Sequence, residues 1–205
     1  MENKNYQEDL QHIRKMMEKS SRFISLSGIS GVFAGLFALA GAIYVYFFFK
    51  KNGVDYFEGT VKYHEKDFIV HLVIVAMIIM VLAISSGAYF TIKKSKAHHL
   101  QIWDATTKKL LYNFAIPLGI GGLFCAGLLY HGLHGLLSPA TLIFYGSALF
   151  NAGNYTFSDI KYLGLCEMAL GIVSLFFLGY GLFFWAIGFG VLHIVYGIVM
   201  HKKYK

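Results

Sequence analysis

Long apolar runs alternate with short polar segments along this chain. The apolar runs cover residues 23–49, 68–92, 114–136, 139–152, 160–178 and 181–200. A helix needs about 20 apolar residues to cross the roughly 30 Å of hydrocarbon in a bilayer. The pattern therefore predicts an all-α, polytopic integral membrane helical bundle, with six transmembrane helices over residues 23–200. The run 139–152 is the shortest, so whether it crosses the whole bilayer is left open.

Polar segments flank this domain at both ends. In residues 1–22, apolar side chains recur from Tyr6 to Met17 at spacings of four, three and four, which is typical of one helix face. We therefore expect a cytoplasmic amphipathic helix, which either binds a membrane or partner surface or docks on the protein's own loops. Residues 201–205 form a basic cytoplasmic tail, and no cleavable signal peptide is expected at the start.

Charge distribution predicts the orientation in the membrane. The chain is 57% hydrophobic and only 14% charged, which is too little charge to cover a soluble domain of this size. Of its 18 basic residues, Lys50, Lys51, Lys62 and Lys66 fall on one side of six spans, and the remaining fourteen share the other side with both termini. Because cytoplasmic segments carry the basic excess, we expect both termini in the cytoplasm and a location in the inner membrane. The basic residues flank the spans, so the partner is expected to be the lipid bilayer and not nucleic acid.

The last two apolar runs each contain an ionisable residue. Glu167 lies eight residues past Asp159, and His193 lies eight residues before His201. In an antiparallel hairpin both therefore sit about 12 Å inside the same membrane face, at about 1.5 Å per residue. An acid inside a span is costly, by roughly 2.5–3.5 kcal/mol on insertion scales, so we expect Glu167 and His193 to contact each other. Other polar residues expected at a similar depth are Tyr196, Asn151 and Asn154.

This intramembrane polar pair has two interpretations. In the first, it only locks the hairpin and sets its register; in the second, it is a proton-responsive or ligand-binding site. Small residues at helix spacing accompany it and let helix backbones approach closely in lipid, so we expect the two glycine-lined faces of the hairpin to press the pair together. The helix-packing glycines predicted here and in the first span are Gly31, Gly35, Gly164, Gly171, Gly190 and Gly197.

A second group of candidate ligands lies toward the opposite membrane face. Imidazole and carboxylate groups suit zinc, copper, iron or nickel, and haem ligation by two histidines is a further alternative, although no haem-attachment motif is present. Histidines near a membrane interface also serve as amphipathic side chains with wet tips, which is the favoured interpretation. The residues concerned are His64, Asp67, His71, His131 and His134.

Three segments resemble a group of uncharacterised bacterial six-span inner-membrane proteins. They are IRKMMEKSSRFISLSGISGVFAGLFALAGA (13–42), ATLIFYGSALFNAGNYTFSDIKYLGLCEMALG (140–171) and FWAIGFGVLHIVYGIVM (184–200). The resemblance implies the same six-span topology and brings no activity, substrate or cofactor.

No phosphate-binding loop, nucleophile elbow or pair of hydrolytic carboxylates is present, so we do not expect an enzyme. Three functional hypotheses follow. The first is an accessory or sensory membrane protein that binds a ligand or partner, as a homo-oligomer or with another protein. The second is a small proton- or cation-coupled transporter or channel, and the third is a metal or haem protein.

Overall fold

The computed structural model describes residues 27–53, 66–97 and 102–204, and within these ranges the chain is helical and contains no strand. The predicted amphipathic helix over residues 1–22 lies outside the described residues. Short 3-10 turns at His134–Leu136 and Leu178–Tyr180 precede α4 and α6, and a π-helical segment at Ala186–Leu192 joins α6 to α7. The α-helices are α1 (Gly28–Lys51), α2 (Lys66–Ala97), α3 (Ala105–Tyr130), α4 (Leu137–Ala152), α5 (Asp159–Leu175), α6 (Gly181–Trp185) and α7 (His193–Lys203).

Four helices of the described chain are long and apolar enough to cross a membrane: Gly28–Lys51, Phe68–Ala97, Ala105–Tyr130 and Leu178–Lys203. The last of these, which we call the C-terminal helix, runs through α6, the π segment and α7. The all-helical, membrane-embedded prediction is confirmed at this level, but the described residues do not contain six helices of spanning length. α4 has 16 residues and α5 has 17, so at about 1.5 Å per residue both fall short of the roughly 30 Å hydrocarbon layer.

The third span was predicted wrongly in its boundaries. We expected residues 114–136, whereas α3 begins at Ala105 and ends at Tyr130. The early start follows from the Asp104 N-cap, whose carboxylate accepts hydrogen bonds from the backbone N–H and the hydroxyl of Thr107, both at 2.7 Å. These bonds lower the pKa of Asp104. The helix ends just before Gly132, whose positive φ of 70° favours glycine.

The helices run alternately between two faces of the bundle. On the near face, Gly28 at the start of α1 lies against His201 of α7, and Lys94 of α2 donates a hydrogen bond to the Tyr204 carbonyl. On the far face, Ser138 at the start of α4 donates a hydrogen bond of 2.6 Å to the carbonyl of Gly181 at the start of α6. Both ends of the described chain, at residues 27 and 204, lie at the near face.

Glycines lie at the closest helix–helix contacts, which pair α1 with the C-terminal helix and α5 with α4. In α1, Gly31 and Gly35 lie against the backbone of the C-terminal helix at Gly197 and Gly190, at distances that leave no room for a side chain at Gly35. In α5, the glycines face α4 instead: a Cβ on Gly164 would meet the Gly146 carbonyl at 2.6 Å.

The expectation that the glycine faces of the final hairpin pack on each other is therefore wrong. The glycines of α5 face α4, and Gly190 and Gly197 of the C-terminal helix face α1. The reason is that a glycine stripe specifies close approach without specifying its partner.

We predict that replacing Gly197 with alanine destabilises the protein by about 1–3 kcal/mol, the usual cost of overpacking a tight contact. A Cβ there would lie 2.6 Å from the backbone oxygen of Gly28 and 2.6 Å from the backbone nitrogen of Val32. The matched control is Gly122→Ala, because no atom of the described residues lies within 4 Å of a Cβ at that position. Thermal melting in detergent should show a lower transition for Gly197→Ala only, and equal transitions for both variants would contradict the packing described.

Candidate functional site

Glu167 lies on the buried face of α5. Glu167 is 0% exposed, and Gly164, Gly171 and Ser174 on the same face are also buried. This is the small and polar face expected for that helix. Close approach of the C-terminal helix at Gly188 completes the enclosure, since a Cβ there would meet Glu167 Oε2 at 2.5 Å.

The structure brings Glu167 and His193 together. His193 is 6% exposed, and its Nδ1 lies 3.3 Å from Glu167 Oε1. The same nitrogen lies 3.1 Å from the carbonyl oxygen of Gly188. Since a carbonyl oxygen only accepts hydrogen bonds, that contact requires a proton on Nδ1.

Tyr145 of α4 is the third member of this group, which we call the polar network. Its hydroxyl lies 2.8 Å from His193 Nε2, and the two rings lie with their centroids 5.4 Å apart. The ring of Phe189 packs beside both, with its centroid 4.9 Å from that of Tyr145. The polar network thus joins α4, α5 and the C-terminal helix around one imidazole.

The π segment places His193 over Gly188. These residues are five positions apart, and a π turn is the helical geometry that brings positions i and i+5 together. Gly188 and Gly190 are buried within this segment. Their lack of side chains lets the widened turn approach Leu142 and Glu167 on one side and Leu39 on the other.

Hydrogen bonding at the Glu167 carboxyl is incomplete. Neither Oε1 nor Oε2 has a hydrogen-bond partner among the described residues, and the same holds for the buried hydroxyls of Ser174 and Tyr196. Buried polar atoms in proteins are nearly all paired. The carboxyl is therefore held by burial and by the nearby imidazole, and not by a set of fixed donors.

The further partners predicted for this pair are not recruited. Tyr196 is packed beside Leu149, Ile160 and Leu163, and its hydroxyl makes no bond to Glu167 or His193. Asn151 and Asn154 instead bond to each other at the end of α4, where the Asn154 amide donates to the Asn151 carbonyl at 3.2 Å. The residue that takes their expected place is Tyr145, whose register relative to His193 depends on helix packing that the sequence pattern does not encode.

A second polar cluster, also absent from the sequence prediction, closes the near face. Asp159 at the start of α5 accepts hydrogen bonds from Lys203 at 2.8 Å and from the Tyr204 hydroxyl at 2.6 Å. Burial alone would raise the pKa of Asp159, but these two hydrogen bonds outweigh it and lower the pKa below the ordinary value. The cluster fixes the end of the C-terminal helix against α5.

The far-face histidines are not assembled into a metal centre within the described ranges, where no group of three His, Cys, Asp or Glu side chains lies close enough to hold an ion. His71 shares a hydrogen bond of 2.9 Å with the Tyr44 hydroxyl and stacks on Phe48. His131 follows the end of α3, and His134 lies in the next 3-10 turn. The two histidines therefore do not lie on one helix, although the predicted span 114–136 contained both. His64 and the side chain of Asp67 lie outside the described part of the chain, and the metal hypothesis stays a prediction.

We predict that Tyr145→Phe lowers the stability of the protein by about 1–3 kcal/mol, because it leaves a buried imidazole nitrogen without its partner. The matched control is Tyr162→Phe on α5, whose side chain is 68% exposed and should lose nothing comparable. Melting temperatures in the same detergent are the measurement. A Tyr145→Phe variant as stable as the control would show that the hydroxyl does not support His193.

Comparison with known proteins adds no assignment: no family model, no curated protein and no solved structure matches this chain. The resemblance to six-span inner-membrane proteins accordingly stays a prediction.

Proposed function

We propose that this chain is a non-enzymatic sensory or accessory protein of the bacterial inner membrane, and that the polar network of Glu167, His193 and Tyr145 is its proton-responsive site. The observation that supports this most is the enclosure of Glu167: it is fully buried, receives no hydrogen bond from any described residue, and has His193 Nδ1 at 3.3 Å. Such a pair is sensitive to the number of protons it holds.

The net charge of the pair depends on how many protons it holds. Glu167 and His193 are neutral as a pair in two arrangements, either an acid beside a neutral imidazole or a carboxylate beside an imidazolium. Gain or loss of a proton leaves one uncompensated charge in a buried site, which is costly. A change in protonation is therefore expected to favour a state in which water reaches the site.

The network is placed to transmit such a change. Protonation of His193 at Nε2 would reverse its hydrogen bond with Tyr145, because the hydroxyl would then have to accept instead of donate. His193 also lies at the junction of the π segment and α7, and π turns are frequent at functional sites. We infer that the C-terminal helix is the element that responds.

The proposal includes six crossings, with both termini in the cytoplasm. α4 starts at the far face and ends at the near face, and α5 returns, so together they connect α3 to the C-terminal helix. Much of their surface meets protein instead of lipid, since α4 and α5 pack closely on each other through Gly146 and Gly164. Short helices of this kind cross where flanking turns or local thinning of the bilayer make up the remaining length.

Cysteine accessibility tests the topology. With Cys125 and Cys166 replaced by alanine, a single cysteine at Asn154, which is exposed in the α4–α5 connection, should react with a membrane-impermeant maleimide only from the cytoplasmic side. The matched position is His131, which is exposed at the end of α3 and should react only from the opposite side. Labelling of both positions from one side would reject six crossings and make α4 and α5 a re-entrant pair.

Hydrogen–deuterium exchange tests the proton response. In the wild type, exchange within the C-terminal helix, corrected for the intrinsic base-catalysed rate of free amides, should increase on the alkaline side, where loss of the shared proton leaves a buried negative charge. In Glu167→Gln, the neutral imidazole leaves no net charge in the site, so the alkaline increase should disappear. The variant should instead loosen on the acid side, where protonated His193 has no counter-charge.

The matched control for that experiment is Cys166→Ser, which changes the exposed neighbour of Glu167 and should keep the wild-type profile. If wild type and Glu167→Gln show the same pH dependence, the pair is a structural lock and the proposed response is wrong.

A proton-coupled carrier is the second candidate, favoured by the buried carboxyl of Glu167 beside the π segment, because acidic residues inside a membrane bundle often mark ion or proton pathways. Two results separate the candidates. Loss of proton-driven uptake in vesicles containing Glu167→Gln supports the carrier, whereas pH-dependent recovery of one partner protein from native membranes supports the sensory role.

A further inference from the structure

A cavity of about 700 Å³ lies in the far half of the bundle, and its lining does not include Glu167, His193 or Tyr145. The second half of α1 and the first half of α2 form one side of it. The turn before α4, the start of α4 and the start of the C-terminal helix form the other side. Its size falls within the roughly 300–1,000 Å³ typical of ligand pockets.

The wall of this cavity is built for an apolar occupant. Most of its lining is aliphatic or aromatic, and the residues include Ala76, Leu133, Leu182 and Trp185. The two hydroxyls in the wall are already used. Ser138 donates to the Gly181 carbonyl and Thr141 donates to the Ser138 carbonyl, so the hydroxyl protons are not offered to a polar ligand.

α2 borders this cavity and stands apart from most of the described bundle. Among the described elements, α2 makes its substantial helix contacts with α1, and no residue in its most apolar stretch is buried. On the other side of the cavity are Leu133, Leu182 and Trp185. Because α1, α2 and the C-terminal helix are long and apolar enough to cross a membrane, we expect lipid acyl chains to reach the gap between them.

We propose that this lateral cavity binds an acyl chain of a membrane phospholipid. Three observations converge on that ligand class: the lining is mostly apolar, the wall hydroxyls are satisfied internally, and the cavity lies between helices of membrane-spanning length.

The occupant would lie close to the proton-responsive site without being part of it. Thr141 of the cavity wall is one helical turn from Tyr145, and Trp185 of the wall packs on Phe189, with ring centroids 4.9 Å apart. Phe189 in turn packs on Tyr145 and stacks on His193. Since the occupant would not be part of the proton-responsive site, lipid binding can be tested independently of any proton response.

Fluorescence of Trp185 provides the test. The chain has two tryptophans, so Trp103→Phe leaves Trp185 alone in the cavity wall. In detergent, phosphatidylcholine with dibrominated acyl chains should quench Trp185 and reach saturation near one lipid per chain. Native mass spectrometry of the same samples should retain one phosphatidylcholine molecule.

Filling the cavity should abolish both signals. Ala76→Phe places a ring from an exposed position of α2 into the cavity, and Val73→Phe does the same from a second exposed wall position, which guards against a folding failure in either variant. The matched control is Ala88→Phe, an exposed alanine of the same helix that does not line the cavity. Saturable quenching in the control, and its loss in both cavity variants, is the expected result.

Two results would overturn the proposal. Quenching that increases in proportion to added lipid, equally in all variants, would mean contact with bulk lipid only. Absence of quenching in a preparation that light scattering shows to be dimeric would assign this face to a second copy of the chain.

Discussion

The enclosure of one carboxyl group is the constraint on which this bundle depends. Glu167 is buried where α4, α5 and the C-terminal helix meet, and only His193 lies within ion-pair distance of it among the described residues. Gly188 is required there because a side chain would occupy the place of the carboxyl oxygen. A buried charge is costly unless a neighbour carries the opposite charge. The imidazole of His193 is the group placed to supply it, with Nδ1 3.3 Å from Glu167 Oε1.

Close backbone contacts hold the surrounding helices in place. Lipid provides no hydrophobic force between spans, so small residues must allow extensive van der Waals contact. Here α1 packs on the C-terminal helix at Gly28, Gly31 and Gly35, while α5 packs on α4 at Gly164 and Gly171. The polar network lies where these two tightly packed pairs meet. The C-terminal helix therefore has closely packed neighbours on both sides. A local rearrangement of its π segment would change its contacts with those neighbours.

The two ends of the bundle differ in character. The near face is tied by the Asp159–Lys203–Tyr204 cluster and by the hydrogen bond from Lys94 to Tyr204. The far half contains the lateral cavity, beside a helix that packs mainly on α1. The near face is therefore closed by polar contacts, whereas the far half leaves a volume for a ligand. The rings of Trp185 and Phe189 lie between the proposed lipid site and the proposed proton site.

Sequence pattern alone was sufficient for the helical class, the apolar runs, the buried face of α5 and the shared depth of Glu167 and His193. These properties are local, because they depend on helical period, chain length and the cost of a charge in hydrocarbon. Only the tertiary structure decided that the glycine faces pack crosswise, that Tyr145 and not Asn151 reaches His193, and that a π segment aligns Gly188 with the imidazole. It also moved the third span to Ala105–Tyr130. Those features depend on relative helix register and on which helices become neighbours, and glycine stripes or isolated polar residues are compatible with several such choices. The physical reason is that periodicity identifies which face of a helix is buried, whereas the partner of that face is selected by the packing of the whole bundle.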